Sequence, residues 1–182
     1  MNGPVIMDHN LHAHIQTTQT QFYQERGGKN TFFKKTQKFE CAETVCQNIP
    51  LDNLFERTFC IQDNRVLCEY PFFKLYAHPG IFVNIVDRVI ELCIQCRTST
   101  ENGRFSLHVN FDGFTLSAAE RYKDLVVLFS RLCEIRNTGF IPHIDGLYLY
   151  NVSDAMDHVS QMLMPLIPPE MRGKIKLVKK SV

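Results

Sequence analysis

Residues 105–116 read FSLHVNFDGFTL, and residues 144–156 read IDGLYLYNVSDAM. In each, an alternating apolar run reaches a turn-forming residue, Asp112 or Asn151, and a stretch with helical periodicity follows. Asp112 invites a catalytic reading, but a working carboxylate needs a partner acid, base or metal. Its neighbours are His108, four residues back on the strand, and the apolar Phe111 and Phe114. Asp-Gly is also an ordinary turn pair. Asp112 is therefore read as a turn residue, and Asn151 as a side chain that bonds backbone amides at a strand-to-helix turn.

Working outward, His78-Pro79-Gly80 opens a helix to about residue 96, with Phe82, Ile85, Val86, Val89, Ile90 and Cys93 on one stripe. Residues 97–103 form a loop and 104–110 a strand. Ser117 is expected as N-cap of the next helix, with Glu120 completing a capping box. That helix runs to about residue 135. Residues 144–152 form a strand, and a helix beginning near Asp154 ends at Pro168-Pro169. A turn at Glu170-Met171 leads to a last strand over 175–178. From 80 to 178 this is helix-strand three times over, with connections long enough for parallel crossovers. The fold class is α/β, with a small, mostly parallel sheet. Upstream, residues 40–49 and 51–55 suggest short helical pieces. Residues 55–62, the Asp63-Asn64 turn and a second strand broken at Pro71 suggest a hairpin feeding the sheet. Residues 1–38, rich in Gln, His and Thr and basic at Lys34, Lys35 and Lys38, read as a polar, flexible tail. Phe22, Tyr23, Phe32 and Phe33 are its means of ordering against the body. Residues 39–182 form a single domain.

The 182 residues are 45% apolar with a formal charge of +1, which predicts no nucleic-acid partner. Fourteen Phe and no Trp suit an apolar cavity or a core equally. Seven cysteines without a secretory leader or transmembrane run read as reduced thiols in a cytoplasmic protein. In that compartment the Asn151-Val152-Ser153 sequon carries no meaning, and Asn2 excludes myristoylation.

The segment 105–178 resembles the second half of the CRAL-TRIO domain, the lipid-binding fold of Sec14-like proteins. The resemblance lies in FSLHVNFDGFTL, in GLYLYNVSDAMDHV and in MLMPLIPPEMRGKIKLV, with IQDNRVLCEY resembling the family's opening. The same pattern occurs in the related BCH domains, which bind proteins. The family carries a helical bundle before the domain and a gating helix after it. Here the first 40 residues are polar and Val182 closely follows the last strand, so a cavity that is open, closed by another chain, or filled is expected.

The resemblance implies non-enzymatic binding of a lipid or other hydrophobic ligand between sheet and helices. Phe82, Phe105, Phe111, Phe114, Phe129, Met156, Met162 and Met164 supply large or adaptable apolar side chains for its wall. In an ordinary α/β domain the same residues are core. The alternative is a protein-binding or assembly module with a filled interior, engaging a protein partner or a second copy. Arg172, Lys174, Lys176, Lys179 and Lys180 could meet anionic headgroups in a peripheral membrane contact, or simply solvate a sheet edge. Cys93-Ile94-Gln95-Cys96 falls at the wrong end of a helix for a redox pair. Cys41, Cys46, Cys60 and Cys68 lack the spacing of a zinc module, and His9, His12 and His14 are read as solvated. With no phosphate loop, zincin helix or nucleophile elbow, no enzyme, metal or cofactor is expected.

Overall fold

The computed structural model describes residues 5–30, 32–153 and 156–179. Five strands lie side by side in chain order: β1 (Phe59–Gln62), β2 (Arg65–Glu69), β3 (Phe105–Asn110), β4 (Ile144–Val152) and β5 (Ile175–Lys179). β1 and β2 form an antiparallel hairpin turning through Asp63, whose φ of 56° is left-handed. The three following pairs are parallel. The hairpin-fed, mostly parallel sheet read from the sequence is thus what the structure shows.

Helices α1 (Val5–Glu25), α2 (Lys34–Asn48) and α3 (Leu51–Thr58) precede the sheet. α4 (Tyr70–Phe73) and α5 (Phe82–Ser99) connect β2 to β3, and α6 (Leu116–Ile135) connects β3 to β4. α7 (Met156–Leu163) and α8 (Pro169–Arg172) connect β4 to β5. Crossovers of one hand between strands laid down in order carry their helices to one face of the sheet. The register agrees with that arrangement. One cross-strand row is Ile61, Val66, Leu107, Leu147, Ile175, and a second is Phe59, Cys68, Val109, Leu149, Leu177. Both rows are apolar. The alternate positions, among them Arg65, Leu67, His108, Tyr148, Tyr150 and Lys176, form a more polar and aromatic outer face.

Five local expectations change. Val5–Glu25 is a helix, not a tail, because Leu11, Ile15, Thr18 and Phe22 recur at helical steps; Ile15, Thr18 and Phe22 are buried. Tyr23 is half-buried, but Phe32 and Phe33 stay exposed instead of ordering against the body. α3 extends to Thr58, with Leu54, Phe55 and Thr58 burying one face, so the hairpin begins only at Phe59. Tyr70–Phe73 forms a turn of helix in place of strand, since Pro71 in a first turn gives up no needed amide hydrogen bond. The cap of α6 is Thr115, whose hydroxyl accepts from the Ala118 amide at 3.2 Å. Ser117 lies inside the helix, and Glu120 pairs with Lys123 at 2.6 Å.

Candidate functional site

The helix layer meets the inner face of the sheet unevenly. At the amino ends of β3 and β4, Phe105, Phe140 and Ile144 are fully buried, with the two rings edge-on at 6.3 Å. Towards the carboxyl ends a cavity of about 320 Å³ opens between the layers. Its floor is Leu107, Val109, Leu147 and Leu149 from the sheet. α5 supplies Val86 and Val89, α6 supplies Leu125, Val126 and Phe129, and α7 supplies Val159 and Leu163.

Of the eight apolar residues singled out in the sequence, five line this space: Phe111, Phe114, Phe129, Met156 and Met164. The rings of Phe111 and Phe114 stack at 4.3 Å, and Tyr70 meets Phe114 edge-on at 4.8 Å. The other three lie elsewhere. Phe82 packs on Phe39 and Tyr122. Phe105 plugs the amino end, and Met162 is half-buried against the core.

Polar side chains on the wall are few. Tyr70 and Tyr122 line it, and burial pushes both phenols above their ordinary pKa. Beside them stands Arg121, which the sequence reading did not single out. It is 8% exposed, its guanidinium carbon lies 5.6 Å from the Tyr122 ring centroid, and its Nε has no hydrogen-bond partner. Burial holds the Lys38 ammonium below its usual pKa, and the like charges of Arg121, Lys34, Lys29 and Lys74 push it the same way. A cationic region therefore adjoins the cavity. The sequence signal was Arg121 next to Ala118, Ala119 and Tyr122 on the inward side of α6.

The carboxyl ends of three strands are tied by side chains. Asn110 donates to the Glu69 carboxylate at 2.8 Å, and its carbonyl oxygen accepts from Asn151 Nδ2 at 2.8 Å. The same oxygen accepts the Asp112 amide at 3.1 Å. Asp112 sits in a turn closed by the Phe114 amide donating to the Phe111 carbonyl at 2.9 Å, with Gly113 at φ 71°. Asn151 Nδ2 thus reaches a neighbouring strand end, where the sequence pointed to amides of its own turn; its φ is 56°. Asn110, unremarked in the sequence, is the hub.

On the outer face His108 stacks on Tyr148 at 4.7 Å and Tyr150 at 5.6 Å. Its two ring nitrogens meet Ser106 Oγ at 2.8 Å and the Tyr150 hydroxyl at 2.9 Å. Burial, and then Arg65, hold its pKa below the usual histidine value.

The basic C-terminal residues are engaged within the chain. Arg172 donates to the carbonyls of Ile167 at 2.9 Å and Pro165 at 3.2 Å. Lys174 donates to the Ile141 carbonyl at 3.1 Å, and Lys176 to the Tyr148 hydroxyl at 3.0 Å. Lys179 ends β5, and Lys180 lies outside the described residues. All seven cysteines are free thiols. Cys93 and Cys96 are buried near the end of α5, and burial raises both pKa values. Cys60 and Cys68 face opposite sides of the hairpin, because Cys68 pairs with Phe59. Among the described residues no three His, Cys, Asp or Glu are grouped to hold a metal; the side chain of His9 lies outside them. Nor is any described helix long and apolar enough to cross a membrane.

These features define an α/β domain with a one-sided sheet and an apolar cavity at its strand ends. No protein-family model matches the chain, and no curated protein is significantly similar to it. The crystal structure of Sfh5 is similar at 9% identity and a TM-score of 0.45, covering 80% of this chain and 61% of that one. At that TM-score the likeness identifies no family, and the fold assignment rests on the sheet order and its crossovers.

Proposed function

We propose that the protein is a non-enzymatic binder of a hydrophobic ligand, held between the sheet and helices α5, α6 and α7. The observation that supports this reading is the unfilled apolar space of about 320 Å³ between the sheet and the helices. Ligand pockets span roughly 300–1,000 Å³, are mainly apolar, and use a few polar groups to fix orientation. This cavity lies at the small end of that range, which favours one hydrocarbon chain over two. Tyr70 and Tyr122 are the orienting groups, at the end where Arg121 stands. The resemblance to CRAL-TRIO sequences in residues 105–178 supports the same reading.

Native mass spectrometry of the purified chain, followed by organic extraction, tests it. The expected result is a stoichiometric apolar ligand, or uptake of a fluorescent fatty acid by an empty protein. An empty protein that takes up no such probe would overturn it. A second reading, a protein-binding module on the same fold, draws on the β5 edge, where Leu177 and Val178 are exposed and open to strand addition. It predicts a ligand-free protein that acquires a partner along β5.

A further inference from the structure

The turn between α1 and α2 holds two aromatic rings out in solvent. Phe32 is 94% exposed and Phe33 70%, while every other phenylalanine in the chain is buried or half-buried. Hydrogen bonds fix this presentation. Asn30 Oδ1 accepts the amides of Phe32 at 2.8 Å and Phe33 at 3.0 Å. Gln37 accepts the Asn30 amide at 2.7 Å and donates back to the Gly28 carbonyl at 2.9 Å. These bonds hold with the rings outside, so the gain that burying two phenylalanines would bring is left unrealised within the described fold.

Along residues 29–39 the charge has one sign, and Glu120 of α6 is the carboxylate within electrostatic reach of Lys35. Lys29, Lys34, Lys35 and Lys38 surround them, and residues 29–39 contain no Asp or Glu. Lys34 and Lys35 open α2, whose first turn holds no acidic residue, so two cations stand at the positive end of a helix dipole. The Arg26–Glu40 ion pair at 3.3 Å uses none of the four lysines, and Lys29 Nζ lies 5.5 Å from the Tyr23 ring centroid. Such a surface is complementary to an anionic one. Lysine is depleted at the cores of protein–protein interfaces. Aromatic tips flanked by lysines suit the headgroup region of a bilayer, where rings enter the acyl boundary and each cation gains from the negative surface potential.

We propose that this turn docks the protein on a bilayer leaflet carrying anionic lipids, with Phe32 and Phe33 entering the headgroup boundary and the four lysines meeting lipid phosphates and carboxylates. The proposal is independent of the cavity reading, and a ligand-free protein would dock equally.

The chain has no tryptophan, so Phe32→Trp installs a single indole reporter at the tip. The full chain is floated with vesicles of phosphatidylcholine alone and of phosphatidylcholine with phosphatidylserine. Flotation with the anionic vesicles only is expected, with a blue shift of the indole and loss of binding as salt rises above about 0.15 M. Phe32→Ala and Phe33→Ala lower partitioning by about tenfold each. Lys34→Ala and Lys35→Ala lower it by about fivefold each. Thermal unfolding of these variants is expected to match the parent, because the altered side chains are exposed. A parent chain that stays off anionic vesicles overturns the proposal, as does a double Phe variant that binds like the parent. A parent that stays off vesicles yet sediments as a dimer, and becomes monomeric in the double Phe variant, assigns the surface to a second copy and overturns it too.

Discussion

The two ends of one core differ. At the amino ends of the parallel strands, Phe105, Phe140 and Ile144 close the space between sheet and helices completely. At the carboxyl ends, the same strands and the same α6 leave a cavity edged by Phe111, Phe114 and Met156. Both ends are apolar, and both are built from large side chains. Composition therefore does not decide which end is hollow. Ligand sites in open α/β sheets lie outside the carboxyl ends of the strands, where connections to the following helices can diverge. The closed end supplies stability, and the hollow end forgoes some packing in return for room.

The largest expected effect breaks this contrast by hollowing the closed end. Phe105→Ala removes a fully buried ring and should cost about 3–5 kcal/mol in urea unfolding. Phe129→Ala, on a half-buried wall that already faces a void, should cost only about 1–2 kcal/mol. Equal losses would show that the cavity is packed in solution. A smaller effect sharpens the contrast by filling the open end. Val126→Phe extends a ring into the cavity and should gain about 1 kcal/mol while abolishing ligand uptake. Destabilisation with ligand uptake intact would place the ligand elsewhere.

The smallest effect lies on the outer face and in the turn before α5. Burial holds both His78 and His108 below the usual histidine pKa, near 6.5. The unfolded chain then takes up protons first as pH falls. The stability that neutral His78 and His108 contribute is complete above about pH 6.5 and is lost progressively below it, through their depressed native values. Urea midpoints from neutral pH downward should fall modestly, and His108→Gln should flatten part of that slope. A slope unchanged in the variant would remove His108 from the account.

The fold was legible where two periodicities alternate. Phe105, Leu107 and Val109 marked one face of a strand, and the stripe on α6 marked a helix, so crossovers and a mostly parallel sheet followed. α1 was hidden because its apolar stripe is a single line through Gln, His and Thr, and composition outweighs so narrow a signal. The capping box at Ser117 was misplaced by two residues because Thr115 offers the same hydroxyl and, extended at φ −131°, already has the cap conformation. The site was half legible. Periodicity identifies inward side chains but not how far along a strand the helices close down, so Phe105 and Phe111 looked alike although one is plug and the other wall. Arg121 was hidden for the opposite reason: a cation on a helix reads as solvated, whereas the fold buries it within electrostatic reach of Tyr23, Lys38 and Tyr70.

The hydrogen-bonded chain of Glu69, Asn110 and Asn151 has a consequence for motion. It pins the ends of β2, β3 and β4 side by side at the cavity's edge. Parting them would strand half-buried amide and carboxylate groups, at about 1–3 kcal/mol for each group left unpaired. The sheet is then the fixed jaw. Widening to admit a molecule falls to α6 and α7, whose described side chains over the floor are mainly apolar, with Ser130 Oγ donating to the Leu166 carbonyl at 3.1 Å as a tie that would move with them.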